Sequence, residues 1–384
     1  MLSSIFDIEF NPNKHLVHWD KIQALVQGKE IFPVTLELDI SSACDHKCEW
    51  CVDPKGTHTH YLMPTQMAEK IMREAKSLGI QGIVFKGGGE STLHPEFAKI
   101  LKIAGDLEFE IGVVTNGGRL NNQNLIDTLV RCAAYVRISI DGPTPQIRQA
   151  VHGRDDFDTL IAGLEKLVAS RGVKRHPVIG ATFCLDYSHR SWVDECIRLG
   201  EKLELDYVLI RPPFCEEVGF PAPYTPRQAA ILRQEIRTAA ENYQGKLKVT
   251  AGNWVGDQEL KTFPLEKSPG EMARRDLSIR QLKYNGIEHD TGQCPASPLF
   301  LVVTAEGHVY GCCCLRGIEN FSFGKIDYEE NVTLKLILDS NRRKQCLERM
   351  RKVDCLNHCT HPFEKINALI EYLSLPRKYH SSFI

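Results

Sequence analysis

A chain of 384 residues has room for two or three domains, or for one large barrel with an appendage. Hydrophobic residues at 42% and charged residues at 25% are the balance of an ordinary soluble globular protein, which excludes disorder and collagen-like repeats. Lys+Arg at 47 against Asp+Glu at 49 leave no basic excess for nucleic acid and no charge run for an interaction tail. No apolar stretch reaches the length of a membrane span, and Asp7, Glu9, Lys14 and Asp20 interrupt any signal-peptide core. The expectation is a cytoplasmic protein with neither nucleic acid nor membrane among its partners.

The first 33 residues carry no motif and form an N-terminal extension. From 34 onward, short β-branched runs alternate with helical stretches: strands at 34–40, 82–86, 110–115, 135–140, 178–185 and 207–211, helices at 65–78, 96–105, 122–131, 157–169 and 190–204. Near-continuous apolar strands separated by helices predict a parallel α/β sheet over 34–212, open or curved into a partial barrel. Ligands then belong at the carboxyl ends of the strands. Residues 212–226 hold five prolines and break the rhythm. A connector over 213–292 carries a helix near 227–243 and a short strand near 246–251. A β-hairpin follows at 299–304 and 308–312, then a helix near 333–351. A cysteine-bearing loop closes a third unit at 293–361, and a last helix with its tail occupies 362–384.

Fourteen cysteines are too few for a disulfide scaffold in a chain of this size, and several are clustered, which points to metal ligation. Cys44, Cys48 and Cys51 follow the first strand at spacings that let one loop put three thiolates around one object. Thiolates select zinc, copper(I) or iron–sulfur clusters, and three ligands are one short of the usual four. Structural zinc, with His46, His58 or His60 as fourth ligand, is the competing reading.

Cys-x3-Cys-x2-Cys with an aromatic before the third cysteine, placed after the first strand of a βα repeat, resembles the radical S-adenosylmethionine (SAM) enzymes. The resemblance implies a partial (β/α)6 TIM-type barrel and a [4Fe–4S] cluster on the three thiolates. SAM chelates its fourth iron and is cleaved reductively to methionine and a 5′-deoxyadenosyl radical, with an external one-electron reductant such as flavodoxin or ferredoxin. Lys86-Gly87-Gly88-Gly89-Glu90 resembles the family's glycine motif, so Gly88, Gly89 and Glu90 are expected to bind SAM, the carboxylate meeting its ammonium. Thr115 and Asn116, and Ser139 and Asp141, end the third and fourth strands, where relatives contact ribose or the methionine carboxylate. Arg154, less so Arg148, would pair with that carboxylate, and Trp50 would cover the adenine or the cluster.

Cys294, Gly307 and Cys312 resemble the opening of the SPASM and Twitch extensions that follow such barrels, and Cys355-x3-Cys359 resembles the SPASM closing pair. A Cys-x2-Cys ahead of that pair is missing. The resemblance therefore implies one auxiliary [4Fe–4S] cluster in a Twitch-like domain of β-hairpin and helix, on Cys294, Cys312, Cys355 and Cys359, with Cys313 or Cys314 able to replace Cys312. Cys215, just past the sixth strand, is a candidate hydrogen donor to a substrate radical, and Cys184 a weaker one; a buried structural thiol is the plainer reading of each. The favoured substrate is a small polar molecule (sugar, aminocyclitol or nucleoside) and the favoured outcome dehydrogenation. The alternatives are an epimerase with a cysteine donor, a peptide or protein maturase, and a zinc-stabilised binding protein without redox chemistry.

Overall fold

The computed structural model describes residues 11, 13–49, 51, 59–174, 176–211, 226–251, 281–284, 287–290, 294–350 and 363–374. Six strands run parallel and in sequence order: β1 (Thr35–Leu38), β2 (Gly82–Phe85), β3 (Glu110–Thr115), β4 (Tyr135–Ser139), β5 (Val178–Cys184) and β6 (Tyr207–Arg211). Their outward side chains, among them Leu36, Ile83, Phe85, Val113, Val136, Ile138 and Phe183, are buried beneath helices. The opposite face of β4 alternates to half-buried Tyr135, Arg137 and Ser139, so it is the inner face that stays accessible. Its floor is aromatic. Tyr135 lies across Gly112 and Tyr207 across Gly180, where a Cβ would come within 2.3 and 2.2 Å of the rings.

After α1 (Trp19–Val26), the crossover helices are α2 (Thr65–Ser77), α3 (Phe97–Asp106), α4 (Gln123–Cys132), α5 (Pro145–His152), α6 (Phe157–Arg171) and α7 (Val193–Lys202). In α2 the buried set Ala68, Ile71, Met72 and Ala75 follows the helical period and forms one stripe against the sheet. The unforeseen α5 is short and half polar, yet its signals are present. Thr144 Oγ1 caps it, Pro145 occupies its first turn, and Gly153 ends it with a left-handed φ of 63°.

The sheet is wider than six strands. β7 (Lys248–Ala251), which the sequence places in the connector after α8 (Pro226–Asn242), pairs in parallel with β6. At the other edge β10 (Phe300–Val303) pairs in parallel with β1, and β11 (His308–Tyr310) and β12 (Gly324–Lys325) continue the sheet antiparallel. Ten strands therefore form one sheet in the order β12-β11-β10-β1-β2-β3-β4-β5-β6-β7. The hairpin predicted for the C-terminal unit lies in the same sheet as the barrel strands. A separate antiparallel pair joins β8 (Gln281–Tyr284) and β9 (Ile287–Asp290). Among the described residues three helices follow, α9 (Leu334–Leu338), α10 (Asn341–Met350) and α11 (Phe363–Ser374). Helix α1 of the N-terminal extension packs on α11: Ile22, Ala296, Leu299, Ile366 and Ile370 form a second small core.

Candidate active site

Past β1 the chain enters the loop that carries Cys44, Cys48 and Cys51, closed by a bridge between Ser41 and Leu62. The loop is pinned from two sides. Glu90 N donates to Ala43 O at 2.8 Å, and Lys47 N and Glu49 N donate to the carbonyls of His152 and Val151 at 2.9 Å each. All three thiols are half-buried. Burial pushes Cys44 up to about 11, with Glu90, Asp45 and Cys51 adding to the rise and a hydrogen bond from the His46 backbone opposing it. Burial raises Cys48 as well, followed by the charges of Asp141, Cys51 and Cys44. Three sulfurs that sense one another in a desolvated loop suit a soft, positively charged occupant, which would relieve their mutual repulsion.

The glycine motif lies directly against this loop. A Cβ on Gly89 would fall 2.2 Å from Ala43 O, and Gly87 combines φ 88° with close approach to Asp39 and Arg316. The Glu90 carboxylate turns inward. Its Oε1 accepts from Thr92 N (3.0 Å), Thr92 Oγ1 (2.6 Å) and Thr115 Oγ1 (2.7 Å), and its Oε2 from Asn116 N (2.7 Å). The carboxylate thus ties the ends of β2 and β3 together, while its charge still reaches Cys44. Asn116 Nδ2 in turn donates to Asp45 Oδ1 at 2.9 Å, and Arg154 also pairs with Asp45. Arg154 is thereby committed to the cysteine loop.

Arg148 is fully buried and spends its donors within the protein. It reaches both Asp156 oxygens, the carbonyls of Ser139 and Ile140, and the carbonyl of Asn116. No N–H is left for a ligand. Asp141 sits in a left-handed conformation (φ 56°). Its Oδ1 accepts from Cys184 N at 2.7 Å, and its Oδ2 lies 3.1 Å from His152 Nε2. Burial would raise this carboxyl, but the hydrogen bond and charge of His152, the Cys184 N–H and Arg211 outweigh it and hold it low.

His152 Nδ1 lies 2.9 Å from His46 Nδ1 and 3.3 Å from Cys48 Sγ, and His46 Nε2 lies 3.1 Å from Asp156 Oδ2. Among these, His152 and Asp156 escaped the sequence reading. The run His152-Gly153-Arg154-Asp155-Asp156 was the available signal, a dense polar patch just past a helix end.

In the C-terminal region Cys294 and Cys312 flank the hairpin, and Ser297 Oγ, 3.1 Å from Gly311 O, draws their segments together. Met350, five residues ahead of Cys355, reaches the same Ser297 hydroxyl at 3.6 Å. Asn367 Nδ2 approaches Cys294 Sγ at 3.7 Å. Cys312 packs against the main core, whereas the charge of Cys313 acts on Lys86 at the barrel mouth. Cys346 is buried, its thiol on the carbonyl of Ser322 at 3.4 Å. Trp50, His58, Cys215, Cys355, Cys359 and the side chain of Cys314 lie outside the described residues.

The hairpin also reaches the barrel through a charge cluster that the sequence did not reveal. Arg316 pairs with Glu37 and, at 3.0 Å, with Asp39, and Lys86 Nζ donates to Glu37 Oε2 at 2.9 Å. Both carboxylates are buried.

Residues 38–187 match the family model described as the radical SAM superfamily. That stretch belongs to the radical SAM superfamily. The three-sulfur loop beside the glycine motif fits the [4Fe–4S] cluster and SAM that this superfamily uses. The radical SAM match spans the cysteine loop and the ends of β2 to β5. Among curated relatives it is 27% identical over 138 residues to mycofactocin maturase MftC of Mycobacterium ulcerans, and 28% over 151 residues to MftC of Mycobacterium tuberculosis H37Rv. Those matches cover 36% and 38% of this chain and 37% and 38% of the relatives' length. Likeness in fold to solved structures reaches further than that match. Streptococcus suis SuiB bound to precursor peptide SuiA superposes with a TM-score of 0.63 at 14% identity, over 94% of this chain and 77% of that one. Native anSMEcpe with bound AdoMet gives 0.56 at 15% identity, over 90% and 98%. Among the described residues, no helix is long and apolar enough to cross a membrane.

Proposed function

We propose that this radical SAM enzyme modifies a peptide, with Cys44, Cys48 and Cys51 holding the cluster that binds SAM. The observation that carries the substrate class is the similarity to a maturase in sequence and to a peptide-bound enzyme in fold. It reverses the order expected from sequence, which put a sugar, aminocyclitol or nucleoside first. A cluster held there would supply the electron that cleaves SAM. The chain's own contribution is positional: Gly87, Gly88 and Gly89 bring backbone close to the ligand, and Glu90, Thr115 and Asn116 lock the strand ends beneath it. Asp45, fastened by Asn116 and Arg154, fixes the loop between its first two cysteines. An auxiliary cluster on Cys294, Cys312, Cys355 and Cys359 is part of the proposal. It is supported by the Ser297–Gly311 hydrogen bond and by Met350 at the same place.

Two measurements test this. Anaerobic, reduced protein with SAM is expected to form 5′-deoxyadenosine, and the Cys44→Ala, Cys48→Ala, Cys51→Ala triple variant to form none while retaining about four of eight irons. For the substrate, an extract of the source cells is supplied before and after exhaustive proteolysis. A peptide substrate stimulates 5′-deoxyadenosine formation only before proteolysis; stimulation that survives restores the small polar substrate.

A further inference from the structure

We propose that Arg137, on the inner face of β4, receives a carboxylate of the substrate, so that the part of the peptide entering the barrel is acidic; this rests on the peptide reading above. The carboxylate belongs to an Asp or Glu side chain or to a free C-terminus.

An arginine keeps its charge at any physiological pH and presents five N–H donors in a planar fork. At the barrel mouth such charges are matched: Lys86 and Arg316 hold Glu37, and Arg154 holds Asp45. Arg137 is not. Among the described residues, no hydrogen bond or ion pair reaches its side chain. The strand pairing explains why. Val114 of β3 and Gly180 of β5 flank Arg137 in register, and neither has a side chain that could accept.

The surroundings favour an anion from outside. Tyr207 of β6 stands at the same level and lays its ring over Gly180, toward β4, while Tyr135, one step earlier on the inner face, lies over Gly112. Burial raises both hydroxyls, and Arg137 is the first influence opposing it, so its charge reaches both rings. Both rings stay neutral and supply no counter-charge. Arg137 is half-buried, so the lumen reaches it. Ser139 ends the strand two residues, or about 7 Å, nearer the mouth. Arg137 thus lies deeper than the strand ends that Glu90 ties together. A carboxylate fits the guanidinium fork with two parallel hydrogen bonds, and on a floor of tyrosine rings it meets less competition from water than at the surface.

The test uses the oxidised, SAM-loaded holoenzyme labelled with 15N-arginine, in which the Nε–Hε resonance of Arg137 is the one lost in Arg137→Lys. Three short peptides are the probes. Acetyl-Gly-Glu-Gly-amide carries only a side-chain carboxylate, acetyl-Gly-Gly-Gly only a C-terminal one, and acetyl-Gly-Gln-Gly-amide none. A saturable shift of that resonance is expected with an acidic peptide and not with the neutral one; the acidic peptide that binds more tightly names the source of the carboxylate. By calorimetry, Arg137→Gln should weaken that peptide's binding about ten- to a hundredfold, and Arg137→Lys, which keeps the charge, by less. The wild-type resonance decides even where Arg137→Gln fails to fold. No shift with either acidic peptide, an equal shift with the neutral one, or the same shift on adding SAM alone to SAM-free holoenzyme would overturn the inference. The peptide reading fails separately. Stimulation of 5′-deoxyadenosine formation that survives proteolysis, beside a carboxylate-dependent shift, would keep Arg137 in its role and assign the carboxylate to a small acid.

Discussion

Cys44, a proposed cluster ligand, shows how far burial moves a thiol in this fold. Its thiol is pushed up to about 11 by burial, against an ordinary value near 9, so at neutral pH its thiolate fraction is about a hundredfold below that of a free cysteine. Metal binding at this loop, as proposed, would expel that proton. The folded state binds the proton more tightly than the unfolded chain, so this group's contribution to stability is complete below pH 9. It is lost as pH rises from about 9 to 11. Iron-free protein is therefore expected to show a falling thermal midpoint across that window, and Cys44→Ala a flatter profile. Equal slopes would show that burial does not govern this thiol. Glu90 illustrates the limit of reading chemistry from one residue type. A glutamate after three glycines invites a ligand role, but the four donors that fill its carboxylate come from Thr92, Thr115 and Asn116, and only the folded strand ends bring the last two within reach.

At the level of elements, the six barrel strands were legible because each is a short apolar run buried on one or both faces, and the cysteine loop because its spacing is local. Pairings that join distant parts of the chain were not. Nothing in Lys248–Ala251 or Phe300–Val303 announces that these strands flank β6 and β1, since edge partners are chosen by tertiary packing. Helix α1 was illegible for the same reason: its one fully buried residue, Ile22, meets Ile366 and Ile370 across most of the sequence. Ile22→Ala is expected to cost about 2–5 kcal/mol, lowering the thermal midpoint and loosening α11 from α1. Hydrogen exchange should then quicken in α11 before it does in β3. An unchanged midpoint would mean that α1 is an ornament on the fold.

Across the whole molecule, the C-terminal region and the barrel are joined by buried charge as well as by a shared sheet. Arg316 is the hinge of that contact, and removing it strands Glu37 and Asp39, both 1% exposed, without their principal cation. Arg316→Ala is therefore expected to destabilise the protein by roughly 3–5 kcal/mol, whereas replacing Arg316, Glu37, Asp39 and Lys86 together by apolar residues should recover much of the loss. Chemical denaturation of the two variants measures this. Identical losses would show that the contact is packing and not charge.

The parallel pairing of β1 with β10 carries a consequence for how the protein is made. Thr35 lies beside Phe300, so the strand that leads into Cys44 leaves the ribosome long before its second neighbour exists. Until then one flank of β1 is an open edge, with unpaired backbone groups able to recruit a foreign strand. Contacts this distant in sequence form late and slowly. The cysteine loop thus spends the whole interval of synthesis on an unfinished sheet. Iron delivered during translation would meet thiols whose supporting strand is still missing, which makes the order of chain completion and cluster insertion a kinetic variable in producing active enzyme.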